Sequence, residues 1–359
     1  MPSVLSRRES PTEAVNAPPA TEPAKALALP DAELFSRADA ACRAVFGGRV
    51  YVRGLIEATN RCVRNCLYCG IRRGNARIGR YSLDDDTLLA AVRRGWEAGI
   101  RSFVIQGGED PAFGPERLAG LAHAVKELTG GEAALTYSFG TMDKASYALM
   151  KRAGADRYLM RFETSDPALH ERLRGSPLSE RLAALEALAE LGYEVGSGFM
   201  TGLPGASEDR LEEDVRLAAS LRLDMAGIGP FIPHPDTPLG GEHGHGVLPA
   251  LRAVAALRLA LPLANLPATT AMGSVEPDGR ERALACGANV LMPNIGPVGV
   301  KKQYELYPGK ICLDEDGLSC VGCLSLRVKT VGKALDMDRG DSPSALARAA
   351  ALGPSAPGG

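Results

Sequence analysis

The stretch Arg49-Val-Tyr-Val-Arg-Gly-Leu-Ile-Glu-Ala-Thr-Asn60-Arg-Cys-Val-Arg-Asn-Cys-Leu-Tyr-Cys-Gly70 runs an apolar segment straight into three thiols. Cys62, Cys66 and Cys69 are spaced C-x3-C-x2-C. Three thiolates on one short loop hold three irons of a cubane cluster and leave the fourth iron without a protein ligand. Zinc is the competing occupant, but structural zinc takes four Cys or His ligands, commonly in paired C-x2-C knuckles. No histidine lies between Met1 and Trp96, so a fourth nearby ligand is missing and the spacing points to iron and sulfur. Tyr68, beside the third thiol, either covers the face of a bound aromatic group or packs the loop.

Outward from this stretch, the pattern of apolar run, Gly-rich or polar loop and helical stripe repeats as far as Asn294. Strands are expected over 49–58, 100–106, 134–139, 157–164, 194–201, 225–231, 266–272 and 289–293. Helical stripes lie between them. The stripe over 84–98 places Leu88, Val92 and Trp96 on one face and stops at Gly99, and 182–191 and 211–221 behave alike. Alternation of strand and helix implies parallel strands with helical crossovers. Eight such units close into an α/β fold, a (β/α)8 TIM-type barrel; a doubly wound open sheet is the alternative. The expected division is a disordered tail over 1–28, an N-terminal helical extension over 29–48 covering the barrel bottom, and the barrel over 49–305. A short, loop-rich C-terminal appendix over 306–345 and a flexible tail over 346–359 complete it.

The chain has 359 residues and a net charge of −2, which gives no electrostatic case for nucleic acid. It has no uninterrupted apolar run long enough to cross a membrane and no clear secretory signal. Eight cysteines fall as two clusters of three plus Cys42 and Cys286, which is metal ligation rather than a disulfide framework. A reducing, cytoplasmic location is expected.

In a barrel of this kind the reactive groups sit at the C-terminal ends of the strands. The cysteine loop follows the first strand. The second strand ends in Gln106-Gly107-Gly108-Glu109, where two glycines either let a ligand approach the backbone or make a tight turn. On the fourth, period-2 alternation groups Tyr158, Met160 and Phe162 on one face and Arg161 and Glu163 on the other. Arg161 and Glu163 then point into the barrel top, as ligand-binding groups or as an ion pair. Arg181, opening the next helix, suits a carboxylate ligand or a solvated helix surface. The glycine-dense 196–205 lacks a helix starting at the right place for a dinucleotide-binding turn. Thr269 and Thr270 place two hydroxyls where barrels often bind anions, although β-branched strand filler reads the same way. His234 sits in a Pro-flanked loop that would place it over the cavity; His123, His170, His243 and His245 read as ordinary helix or surface residues. Cys312, Cys320 and Cys323 form a second triad that invites another iron–sulfur cluster, zinc or chance spacing.

The C-x3-C-x2-C loop, with the Gly107-Gly108-Glu109 stretch after the next strand, resembles the radical SAM superfamily. That resemblance implies a 4Fe–4S cluster whose open iron chelates S-adenosylmethionine (SAM). Reductive cleavage of SAM then gives methionine and a 5′-deoxyadenosyl radical. It assigns Cys62, Cys66 and Cys69 to the cluster, and Tyr68, Gln106, Gly107, Gly108, Glu109, Arg161, Glu163 and Arg181 to SAM. Within the superfamily the chain resembles the HydE family of FeFe-hydrogenase maturases. The resemblance runs through 153–159, 202–205, 227–239, 267–273, 287–290 and 305–311, and 227–239 is the most specific. It implies an organometallic or small-molecule substrate, an electron donor such as ferredoxin or flavodoxin, and other hydrogenase maturases as partners. In that family the substrate is an iron–cysteine carbonyl cyanide complex made by another maturase. Met225, His234, Thr269, Thr270, Tyr304 and Tyr307 fall where a substrate or anion would lie, and the second triad where many members hold an auxiliary cluster. Phe162 stands where the family pattern has histidine, and 295–300 replaces a more aromatic stretch; both are expected near the cavity. A mutase or sulfur-inserting enzyme of the methylornithine synthase or biotin synthase type is the alternative, and a non-catalytic iron–sulfur scaffold is the alternative from another class.

Overall fold

The computed structural model describes residues 17–352. The first expected strand is broken at Arg53 into β1 (Arg49–Val52) and β2 (Gly54–Thr59). The remaining strands are β3 (Ser102–Gly107), β4 (Ala134–Ser138), β5 (Arg157–Leu159), β6 (Glu194–Ser197), β7 (Met200–Thr201), β8 (Met225–Ala226), β9 (Gly229–Pro230), β10 (Val290–Leu291) and β11 (Ala334–Asp336). β2, β3, β4, β5, β6 and β8 form one parallel sheet in that order. The ring continues through parallel bridges Met225–Asn265 and Pro267–Val290. It closes where β10 pairs with β1 and Leu55 bridges Asn294. The eight-stave parallel barrel is therefore present, and the open sheet is not.

Its seventh stave is shorter than expected. Only the neighbourhood of 265–267 is bridged, Thr269 is an N-cap, and Thr270–Val275 is helical. The apolar, β-branched run there fits either structure by pattern alone. Outer helices are started by carboxylates: Asp84 accepts from the Thr87 N–H and Asp143 from the Ser146 N–H. Their apolar faces bury Leu88, Val92, Leu118, Val125, Leu185 and Val215 against the strands.

Two expectations about the ends are corrected. Helix Asp31–Phe46 forms, but it packs on the outer helices Leu248–Ala260 and Gly279–Ala285. The barrel bottom is closed from the other end of the chain. β11 pairs parallel with β1, and the Gly340 carbonyl accepts from Arg53 and Asn265 inside the ring. Where a tail is expected, Pro23–Leu27 is a helix with Ala26 buried, and Pro343–Leu352 is a helix. Residues 1–16 and 353–359 of the two expected tails lie outside the described residues. The expected loop-rich appendix also contains helix Cys320–Lys329. Among the described residues no helix is long and apolar enough to cross a membrane.

Candidate active site

The cysteine loop springs from the end of β2 and is tied down at both flanks. Asn60 donates through its side-chain amide to the Gly79 and Gln303 carbonyls at 2.7 Å and accepts from the Tyr81 N–H at 2.8 Å. Arg80 donates to the carbonyls of Asn60, Ile71, Arg72 and Asn75. Two glycines make the close approaches. A Cβ at Gly70 would collide with the Glu305 carbonyl and the His234 ring, and one at Gly108 with the Arg61 carbonyl and Cys62.

A cavity of about 330 Å³ opens under this loop, and all three thiols line it. Burial pushes the Cys62 and Cys69 thiols up, so bare thiolates are disfavoured there and a cationic metal group would offset that cost. Among the described residues no three Cys, His, Asp or Glu side chains converge to hold a single metal ion. The fit to a multi-iron cluster rests on three thiols sharing one cavity wall, with no fourth protein donor beside them.

Next to the thiols lies a polar cradle. The Glu109 carboxylate is held by Arg64 at 2.7 Å, Arg174 at 3.1 Å and Arg181 at 3.7 Å. Arg174 also donates to the Tyr68 hydroxyl at 2.9 Å. Arg161 Nη2 and Glu163 Oε2 form an ion pair at 3.0 Å, whereas Arg161 Nε and Arg174 Nε are buried without a hydrogen-bond partner. Unpaired buried polar atoms are costly, so their gathering on the walls of one cavity marks a place for a polar ligand. Glu163 reaches the cavity from a left-handed backbone (φ 67°), a strained conformation for a non-glycine residue. Four guanidiniums, of Arg64, Arg161, Arg174 and Arg181, face two carboxylates, of Glu109 and Glu163. The surplus is positive and suits a ligand carboxylate.

Thr269, Thr270, Met292, Tyr304, Tyr307 and Lys310 also line the cavity, with Tyr304 packed beside Cys69. Lys310 meets Glu57 at 2.5 Å, and Asn294 donates to the other oxygen of Glu57 at 2.7 Å. Burial pushes the Glu57 carboxyl up, and Lys310 pulls against that shift.

The Radical SAM superfamily model matches residues 56–218, which span β2 to helix Arg210–Ser220. The "[FeFe] hydrogenase maturase subunit HydE" of Thermotoga maritima is 43% identical over 308 residues, covering 86% of this chain and 88% of that protein. The chain belongs to the radical SAM superfamily. It is thus an enzyme of a family that uses a 4Fe–4S cluster and SAM. A 3-methylornithine synthase of Methanosarcina acetivorans is 29% identical, covering 68% of this chain and 69% of that protein. The crystal structure of methylornithine synthase (PylB) superposes with a TM-score of 0.74 at 25% identity, over 90% of this chain and 96% of that one.

In this radical SAM barrel, Cys62, Cys66, Cys69, Tyr68, Gln106, Gly107, Gly108, Glu109, Arg161, Glu163, Arg181, Thr269, Thr270, Tyr304 and Tyr307 all line the one cavity. Met225 and His234 do not. Met225 lies lower in the barrel, where its sulfur meets Arg53 at 2.7 Å. His234 is buried behind the cysteine loop, its ring against Gly70 and 3.8 Å from Glu305, so it buttresses the loop. Phe162 stacks on Phe199 at 5.7 Å, and Ile295 packs beside Gly54 and Gly95. Neither Phe162 nor any residue of 295–300 lines the cavity, so the two departures from the family pattern lie off its walls. The alternation expected over 157–164 ends at Leu159, and Met160 joins Arg161 and Glu163 on the cavity wall.

Arg64, Arg174, Glu57 and Lys310 were not singled out by sequence. Arg174 ends helix Pro167–Arg174 and reads there as a surface residue; only the fold turns it inward. The second triad lies beside the main cavity. Cys312 and Cys320 line a pocket of about 40 Å³ that shares Leu55, Thr270, Met292 and Lys310 with the larger one. Cys323 is exposed on the first turn of its helix, and Cys320 donates to Glu315 at 2.9 Å. The three are not gathered as a finished metal site.

Proposed function

We propose that this chain is a radical SAM enzyme of the HydE type, acting on a small organometallic or thiol-bearing substrate in assembly of the FeFe-hydrogenase diiron cluster. The carrying observation is 43% identity to a HydE across 88% of its length, together with one cavity that joins the three thiols to an anion-ready wall. Cys62, Cys66 and Cys69 hold the cluster. When bound, the cluster delivers the electron that cleaves SAM to methionine and a 5′-deoxyadenosyl radical. Gln106–Glu109 would offer backbone and carboxylate acceptors to the SAM amine, and Tyr68, Arg161, Glu163 and Arg181 would hold the rest of the molecule. Thr269, Thr270, Tyr304 and Tyr307 orient an anionic substrate in the same cavity. Cys312, Cys320 and Cys323 serve an accessory role; Cys312 and Cys320 line a small pocket that shares a wall with the cavity.

Anaerobic reconstitution followed by dithionite and SAM tests the chemistry. 5′-Deoxyadenosine is expected from the wild type and from Cys320→Ala, and none from Cys66→Ala; no product from the wild type removes the enzyme reading. In vitro maturation tests the role. Active hydrogenase is expected only when this chain is added to the other maturases, and formation of methylornithine or dethiobiotin-derived biotin in its place assigns it to the organic-substrate relatives.

A further inference from the structure

Around the cluster loop the charge is one-sided. Residues 60–83 carry six arginines, Arg61, Arg64, Arg72, Arg73, Arg77 and Arg80, and no Asp or Glu, in a chain whose net charge is −2. They belong to one folded unit. The Arg73 N–H donates to the Arg64 carbonyl at 2.8 Å, the Gly74 N–H to the Asn65 side chain at 2.9 Å, and Arg72 Nε to the Cys66 carbonyl at 3.1 Å. Among the described residues, Arg64 (to Glu109) and Arg77 (to Asp236) are the members of this set that meet a carboxylate. Arg72 and Arg80 are spent on backbone carbonyls, which leaves their charge uncancelled. Arg61 and Arg73 are exposed. Between Arg61 and Arg64, next to Cys62, Val63 is 47% exposed.

Stability does not account for this arrangement. Like charges in a compact unit repel, and two of the six arginines relieve that repulsion through a carboxylate. The interior of the site has no use for Arg61 or Arg73, which do not line the cavity. An exposed apolar residue ringed by uncancelled cations is the anatomy of a docking face: charges steer the encounter and an apolar centre makes the contact.

We propose that this arginine-ringed face docks a small acidic one-electron carrier protein, with Arg61 and Arg73 as its steering charges and Val63 as its contact. This rests on the radical SAM reading and adds the surface through which the electron arrives. One electron passes from the carrier's anionic flavin hydroquinone to the oxidised cluster; the cluster gains that electron and the flavin becomes its neutral semiquinone, with no proton released. Docking here puts the carrier over Cys62 and Cys69, the two thiols of the loop that are not fully buried, and Arg72 donates to the backbone carbonyl of Cys66, which carries the third.

The experiment compares wild type with Arg61→Glu/Arg73→Glu as reconstituted holoenzymes. An acidic flavodoxin is the carrier, kept reduced by its reductase and NADPH. Titration with oxidised flavodoxin reads binding without turnover. The double reversal is expected to weaken Kd roughly tenfold at low ionic strength and to flatten its salt dependence. Flavodoxin-driven SAM cleavage falls in kcat/KM by a similar factor, while dithionite-driven cleavage stays within twofold of wild type. Unchanged flavodoxin affinity and salt slope overturn the proposal, as does a salt-dependent complex formed with duplex DNA and not with flavodoxin. Loss of the dithionite-driven reaction in wild type instead defeats the radical SAM reading. Val63→Ser, which leaves every charge in place, weakens binding without changing the salt slope.

Discussion

Glu57 and Lys310 show how a single residue pair can decide the character of a cavity. Their side chains are 4% and 9% exposed and 2.5 Å apart, and Lys310 reaches the barrel from beyond its last strand. Breaking a buried pair on one side leaves an uncompensated charge and costs roughly 3–5 kcal/mol, whereas replacing both partners by neutral groups is often nearly neutral. Lys310→Met alone is therefore expected to lower the thermal midpoint, and Glu57→Gln/Lys310→Met to recover most of the loss. Lys310 also lines both pockets, so both variants are expected to weaken binding of an anionic substrate more than that of SAM. Equal midpoints for the single and double variants would show that an uncompensated Glu57 charge is not the source of the loss. Sequence reasoning passed over both residues because the partners lie 253 positions apart and neither belongs to a motif with fixed spacing.

At the scale of the element, the barrel strands were legible and their upper ends were not. Alternation located β5, but the regular ladder ends at Leu159 and is rejoined only by a single parallel bridge at Glu163, so Arg161 and Glu163 both reach the cavity wall. A periodic pattern reports a repeating backbone, and Glu163 is where the backbone stops repeating. The turn after Glu163 is anchored by helix Arg210–Ser220: the buried Asp214 accepts from the Ser165 N–H at 2.5 Å. Burial pushes the Asp214 carboxyl up to about 6 from 3.8, against the hydrogen bonds from Ser165. The folded state thus holds a proton that the unfolded chain has released between about pH 4 and 6. A raised carboxyl makes stability fall as pH rises through that window, by an amount on the order of 2–3 kcal/mol. Asp214→Asn removes this titration while keeping an acceptor for Ser165. Relative to wild type, the variant's thermal midpoint is expected to climb between pH 4 and pH 6 and to level off above. A difference that stays flat across that range would place the carboxyl's pKa at its ordinary value.

The whole molecule is a barrel used from one end and sealed from the other, and both ends depend on the chain beyond the last barrel strand. At the top that segment supplies Tyr304, Tyr307 and Lys310 to the cavity. At the bottom it supplies β11 and 339–348. The eight-unit repeat made the ring readable from sequence because each strand and helix announces itself locally. The seal was not readable: Arg339, Asp341 and Ser342 look like a polar loop until the ring places Arg157 and Glu194 opposite them. Arg157 is fully buried and donates to Glu194 at 3.0 Å, Ser102 at 2.7 Å, the Arg339 carbonyl at 2.9 Å and Asp341 at 2.5 Å. Burial would raise the Asp341 carboxyl, but the guanidiniums of Arg157 and Arg339 override it and hold the group at about 2. A depressed carboxyl contributes stability above its unfolded value of 3.8 and loses it as pH falls toward 2, so the seal is fully charged at neutral pH. Asp341→Ala leaves Arg157 with one carboxylate for its buried charge, at a cost of roughly 3 kcal/mol, enough to lower the thermal midpoint by several degrees. Asp341 lies away from the cavity walls, so SAM cleavage per folded molecule at low temperature is expected to match wild type. A variant that keeps its midpoint but loses cleavage would mean that the bottom of the barrel controls the geometry of the top, and that the two ends are not separable as the contacts make them.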